Sequence, residues 1–123
     1  MIGKNKGSIL AVDNAVMFLN SLKRYLQDEP YELSCVNSGE DALVFLKEKS
    51  VDLILMDVEM PEMSGYELAK KIQQSGIKTP IVFITANSEK EDMEKADEAG
   101  AAGVLTKPFR PSQLVSKIKE FIS

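Results

Sequence analysis

Residues 51–65 read VDLILMDVEMPEMSG. Four apolar residues, Leu53-Ile54-Leu55-Met56, run straight into Asp57, and Pro61 follows soon after. A short apolar run bounded by turn-forming residues has the pattern of a strand buried on both faces. A carboxylate at the end of such a strand is costly unless it is paired or holds a cation. The rest of the chain has to supply that partner.

Three more runs share the buried-strand pattern: SILAVD (8–13), PIVFIT (80–85) and GVLT (103–106). A fifth, YELSCV (31–36), alternates and suits a half-exposed edge strand. Helical spacing fills the gaps. It links Phe18, Leu22 and Tyr25-Leu26, then Ala42-Leu43 and Leu46 behind a Ser38 N-cap. It recurs in Leu68-Ala69 and Ile72, opened by Gly65 and stopped near Ser75-Gly76, and in Leu114-Val115, Ile118 and Phe121-Ile122. The stretch SEKEDMEKADEAG (88–100) offers only Met93, Ala96 and Ala99 to a core. Its helix is expected to have a shallow footprint and to be the most mobile of the five. Alternating strands and helices predict an α/β fold with a five-stranded parallel sheet, order 2-1-3-4-5, and helices on both faces. Residues 1–7 read as a flexible tail ahead of one domain over 8–123.

In such a sheet, ligands bind at the carboxyl ends of the strands beside the switch point. Those ends carry Asp13-Asn14, Asp57, Thr85 and Lys107-Pro108. Two carboxylates, a hydroxyl and an ammonium share one rim. Asp13 and Asp57 repel unless a cation lies between them. Only oxygen ligands are on offer, so the cation is hard, Mg²⁺ or Mn²⁺ in its place. A carboxylate beside such a cation, facing an ammonium and a hydroxyl, can accept a phosphoryl group as nucleophile. The metal and Lys107 neutralise charge on the transferred group, and Thr85 hydrogen-bonds its oxygens. Taken singly each residue has a plainer reading: Asp13 as the cap of the first helix, Thr85 as a strand residue, Lys107 as a solvated side chain. The conjunction on one rim is what favours the chemistry.

Composition narrows the alternatives. The chain has 123 residues, enough for one domain with its own core. A net charge of −4 gives no basic stripe for nucleic acid. His is absent, which removes His-based catalysis and any phosphohistidine carried by this chain. The lone Cys35 excludes an internal disulfide and reads as packing, as do Met56, Met60 and Met63 around Asp57. No apolar run approaches a membrane span or a signal peptide, so the expected location is cytoplasmic. DNAVMFLN after the first strand is not a flavin-phosphate loop, and no Walker loop is present. The cap and extra acids of an aspartyl-phosphate hydrolase are missing as well.

The motifs VDN, LILMDVEMPEMSG, FITA and LTKPF together resemble the receiver domain of bacterial two-component response regulators, the CheY-like fold. The resemblance runs from Ser8 to Ile122. It implies Asp57 as the site phosphorylated by a sensor histidine kinase or phosphotransfer protein, with Mg²⁺ required. It implies Thr85 and Lys107 as the phosphate-contacting pair and the backbone carbonyl of Glu59 as a metal ligand beside Asp13, Asn14 and Asp57. A cis Lys107–Pro108 peptide, intrinsic autophosphorylation and autodephosphorylation without other enzymatic activity, and an output face of the fourth helix, fifth strand and fifth helix complete the implication. Dimerisation through that face on phosphorylation is compatible with it.

Two positions depart from the family pattern. Asn14 stands where a second acid is usual, which keeps an oxygen ligand and loses a charge. Metal binding is therefore expected to be weaker than usual, with Glu59 restoring part of the charge through a water. Val104 stands three residues before Lys107, where an aromatic usually swings inward as the Thr moves. Val is too small and too stiff at χ1 for that motion. The switch is then muted, or it runs through the fourth helix. Both departures leave room for an alternative, a pseudo-receiver that binds partners without phosphorylation. The chain reads equally as a complete single-domain regulator or as an excised receiver.

Overall fold

The computed structural model describes residues 6–86 and 89–122. Strands β1 (Ser8–Val12), β2 (Glu32–Val36), β3 (Leu53–Asp57), β4 (Ile81–Thr85) and β5 (Gly103–Thr106) alternate with helices. These are α1 (Val16–Leu26), α2 (Gly39–Glu48), α3 (Gly65–Gln74), α4 (Lys90–Glu98) and α5 (Pro111–Lys119). The sheet is parallel throughout, in the expected order β2-β1-β3-β4-β5.

Because successive strand residues face opposite sides, one apolar run feeds two cores. Leu10, Val12, Ile54, Met56, Ile81 and Phe83 point to the side covered by α2, α3 and α4. Ile9, Ala11, Leu53, Leu55, Val82 and Ile84 point to the side covered by α1 and α5. All five residues of β3 and of β4 are buried, whereas β2 is partly exposed at the edge. Each fully buried Leu or Ile stabilises by about 1.5–3 kcal/mol, so the central strands are the most firmly held part of the molecule.

Local signals set the helix ends. The Ser38 side chain accepts from the Asp41 N–H, as its position predicts. Ser64 accepts from Glu67 N–H while Glu67 accepts from Ser64 N–H, a reciprocal cap that starts α3 at Gly65. Gly76 closes α3 with φ +90°, a conformation that suits glycine. Asp13 does not cap α1. Its Oδ1 accepts from Ala15 N–H at 2.8 Å, and Ala15 itself occupies the cap position. The carboxylate is thereby left on the rim rather than spent on the helix. Of the tail expected over 1–7, residues 1–5 lie outside the described residues. Lys6 N–H donates to Pro30 O at 2.6 Å, and Gly7 O accepts from Glu32 N–H, so the last two residues join the sheet edge.

Helix α4 has the shallow footprint its composition predicts. Ala96 and Ala99 are buried and Met93 is half-buried. Contacts from α3 supplement this packing. Gln73 Nε2 donates to Ala99 O at 3.1 Å and Gly100 O at 3.4 Å, and the Tyr66 hydroxyl donates to Asp92 O at 3.4 Å. Gln73→Ala is expected to cost about 0.5–1.5 kcal/mol. It should also speed amide exchange across α4 more than across α1. Hydrogen exchange read by mass spectrometry checks this, and equal acceleration in both helices would mean that Gln73 does not hold α4.

Candidate functional site

Asp57 is the last residue of β3, paired in register with Ile84 of β4. It is buried at 9% exposed, at the point where the fully buried strand opens onto the rim. Asp13, one residue beyond β1, is 2% exposed. Lys107 follows β5, and its backbone N–H donates to Thr85 O at 2.7 Å, which ties the β5 loop to the end of β4. The peptide that follows, Lys107–Pro108, is cis. The Lys107 ammonium lies 3.5 Å from Asp13 Oδ2 and 3.8 Å from Asp57 Oδ1. Its third neighbour is the Phe18 ring, with the centroid 4.1 Å away.

Among the described residues, two buried carboxylates share a single ammonium, so charge is only partly compensated. Burial first, and then the Asp13 charge, push the Asp57 carboxyl up to about 6. Lys107 and a hydrogen bond from the Glu59 backbone N–H pull it down, and the Glu59 charge pushes it up. Asp13 Oδ2 is buried and, among the described residues, has the Lys107 ion pair at 3.5 Å but no hydrogen-bond partner. A buried anionic oxygen in that condition fits a cation ligand, because a cation would satisfy the lone pairs that the protein leaves open.

The other rim residues border a cleft of about 620 Å³ next to the carboxylates. Asn14, Glu59 and Thr85 line it, with Ser64, Tyr66 and Lys95 across from them. Thr85 is buried, while Asn14 and Glu59 are exposed. Among the described residues, no three acidic or Cys side chains converge into a metal-binding group. The Glu59 side chain therefore does not stand as a third carboxylate beside Asp13 and Asp57. The donor set suits a hard divalent cation held by two carboxylates with amide, backbone and water oxygens.

The sequence-predicted residues thus meet on one rim, Asp13 and Asp57 each within ion-pair distance of Lys107, with Thr85, Asn14 and Glu59 around the adjoining cleft. Sequence reasoning missed Phe18 as a neighbour of Lys107 and assigned it to the apolar stripe of α1. It also missed Tyr66, whose ring meets Phe83 edge-to-face at 5.2 Å while it lines the cleft. Val104 lies half-buried on the same side of the sheet.

The chain and its fold have counterparts among known proteins. The family model for the response regulator receiver domain matches residues 9–119. The transcriptional regulatory protein CrdR of Helicobacter pylori is 34% identical over 116 residues, covering 94% of this chain and 54% of that protein. ResD of Bacillus subtilis, also a transcriptional regulatory protein, is 32% identical over 118 residues, covering 96% and 49% respectively. The chain therefore spans about half the length of these curated relatives. Among solved structures, the chemotaxis protein CheY4 of Vibrio cholerae superposes with a TM-score of 0.87 at 33% identity, covering 94% of this chain and 98% of that one. Fold, rim and matches over nearly the whole chain converge: the chain belongs to the response regulator receiver domains of two-component systems.

Proposed function

We propose that Asp57 accepts a phosphoryl group from a phosphohistidine on a sensor histidine kinase or phosphotransfer protein, in a Mg²⁺-dependent reaction, and that the chain signals by a conformational shift. The observation that carries this reading is the pair of buried carboxylates facing the Lys107 ammonium, one of them with an oxygen that has no hydrogen-bond partner among the described residues. An Asp57 carboxylate oxygen attacks phosphorus. The phosphorus–oxygen bond forms as the phosphorus–nitrogen bond to the donor imidazole breaks, and the imidazole keeps the electron pair. Lys107 balances the negative charge gathered on the phosphoryl oxygens, and Thr85 donates its hydroxyl proton to one of them. Asp13, Asn14, Asp57 and the Glu59 carbonyl are the residues that would hold Mg²⁺, which supplies further neutralisation of the phosphoryl oxygens. A rim built on the ends of sheet strands, with β3 and β4 fully buried, keeps these groups in place with little reorganisation.

Phosphorylation would shift a pre-existing balance of conformers, with α4, β5 and α5 as the face read by a downstream protein. Incubation with acetyl phosphate and Mg²⁺, followed by intact-mass measurement, tests the chemistry. The expected result is a gain of one phosphoryl group that disappears without Mg²⁺ and in Asp57→Ala. No gain by the folded protein from acetyl phosphate or from a phosphorylated histidine kinase would favour the phosphorylation-independent interaction module, for which Asn14 and Val104 are the supporting residues.

A further inference from the structure

We infer that Phe18 is a positioning residue for the phosphoryl-transfer site, its ring face holding the Lys107 ammonium by a cation–π contact. The inference rests on the phosphoacceptor reading of Asp57. It starts from the distances around Lys107 Nζ. Both carboxylate oxygens, at 3.5 and 3.8 Å, lie beyond the length of a direct charge-assisted hydrogen bond. The Phe18 centroid, at 4.1 Å, lies well within cation–π range. The Lys107 side chain is 29% exposed, so water does not fully screen the contact.

The ring is itself braced. Phe18 meets Phe109 edge-to-face at 6.0 Å and 88°, and Phe109 meets Tyr25 at 6.3 Å and 79°. Phe18 and Tyr25 stand two turns apart on α1 and clasp Phe109 between them, two residues beyond Lys107. The β5 loop is thus fastened to α1 by aromatic edges, and the ammonium lands on the ring at the end of the row. Phe18 does not continue the buried stripe of Leu19, Leu22 and Leu26. It is only partly buried, at the border of that stripe nearest the rim.

The three partners that the ammonium has among the described residues differ in one respect that matters for function. Once the carboxylates engage a cation or a phosphoryl group, their pull on Lys107 changes. The ring quadrupole does not change. Phe18 therefore keeps Lys107 at one position in the resting, loaded and phosphorylated states, where the carboxylates alone would draw it in and release it.

The full chain, Phe18→Leu and Phe18→Tyr are compared by two measurements. In the first, the side-chain Hε resonances of Lys107 are read by NMR without phosphodonor or Mg²⁺. Protons above a ring face are shielded, so upfield-shifted signals are expected in the full chain and in Phe18→Tyr, and ordinary ones in Phe18→Leu. In the second, phosphoryl uptake from acetyl phosphate with Mg²⁺ is expected to slow about three- to tenfold in Phe18→Leu and to stay near the starting rate in Phe18→Tyr. Unshifted Lys107 signals in the full chain would overturn the inference. So would equal uptake in Phe18→Leu, or a loss in Phe18→Tyr as large as in Phe18→Leu, which would mark a packing role. If Phe18→Leu does not fold, the full-chain Lys107 shift decides, upfield signals supporting the contact and ordinary ones overturning it. Absence of uptake in the full chain itself would instead refute the phosphoacceptor reading, and the NMR comparison would then judge the Lys107 contact by itself.

Discussion

Asp57→Asn, which removes a charge and keeps the shape, should make the metal-free protein more resistant to urea at about pH 7.5 by ~2–3 kcal/mol. The direction follows from the site. Burial and the neighbouring Asp13 raise the Asp57 carboxyl from 3.8 to about 6, so folding favours its protonated form. A carboxyl raised in this way contributes stability that is complete below 3.8, declines as pH rises through about 6 and is lost above it. The variant has no such decline. The difference between the two proteins should be small at the acid end, open between those two values and then level off. Subtracting the two urea curves cancels contributions from groups far from the rim, which are the same in both proteins. Mg²⁺ should narrow the difference above pH ~6, because a ligand bound only by the folded site stabilises by mass action. A pH-independent difference would mean that Asp57 is not held uncompensated on the rim.

The second large effect lies one helix away. Gly65→Ala should cost about 3 kcal/mol, the upper end for overpacking a core. A Cβ at Gly65 would collide with the carbonyl oxygen of Asp57 and would sit 3.0 Å from Val58 Cα and 3.1 Å from the Asp57 carbonyl carbon. All three obstacles are main-chain atoms at the end of the central strand, so no side chain can turn aside. Gly65 N–H also donates to Val58 O at 2.8 Å, which fixes the approach. Relief requires β3 or α3 to move, and Asp57 moves with them. A misplacement of about 1 Å can cost roughly a hundredfold in rate, so phosphoryl uptake should fall steeply along with stability. Gly76→Ala is the control. Among the described residues nothing lies within 4 Å of an added Cβ, and the strain comes from its φ of +90°. It should lose about 1–2 kcal/mol and keep its uptake rate. Equal uptake in Gly65→Ala and Gly76→Ala would break the link between α3 packing and the acceptor.

The strands were legible because a parallel strand covered on both faces must be apolar at every position, and β3 and β4 are buried throughout. The rim was legible for the converse reason, since Asp13 and Asp57 interrupt apolar runs where only a paired or ligating carboxylate is tolerable. Thr85 and Lys107 were found by position once the strand order was known. Asp13 could be read as a cap or as a site residue, and the structure separates the two, with the Oδ1 bond to Ala15 N–H leaving Oδ2 for the rim. The reciprocal cap of Ser64 and Glu67 was present in the spacing and passed unread. What spacing could not supply was tertiary. Gln73 reaches the end of α4 across 26 residues, and Phe18 meets an ammonium 89 positions away. Helical periodicity says that a ring lies on the apolar side of α1, but not that a loop from β5 will arrive at its edge.

The fully buried side chains of helix α4 and its cap are two methyl groups, those of Ala96 and of the capping Ala99, with Met93 half-buried beside them. Such a contact works as a bearing rather than a gear, because no bulky side chain must leave one pocket and enter another when the helix is displaced. Its outward side carries Glu91, Glu94, Asp97 and Glu98, all exposed. Any displacement of α4 therefore relocates a block of negative charge at the surface. A nearby partner within a Debye length of roughly 8–10 Å would sense that change as a shift in electrostatic potential before touching a rearranged side chain.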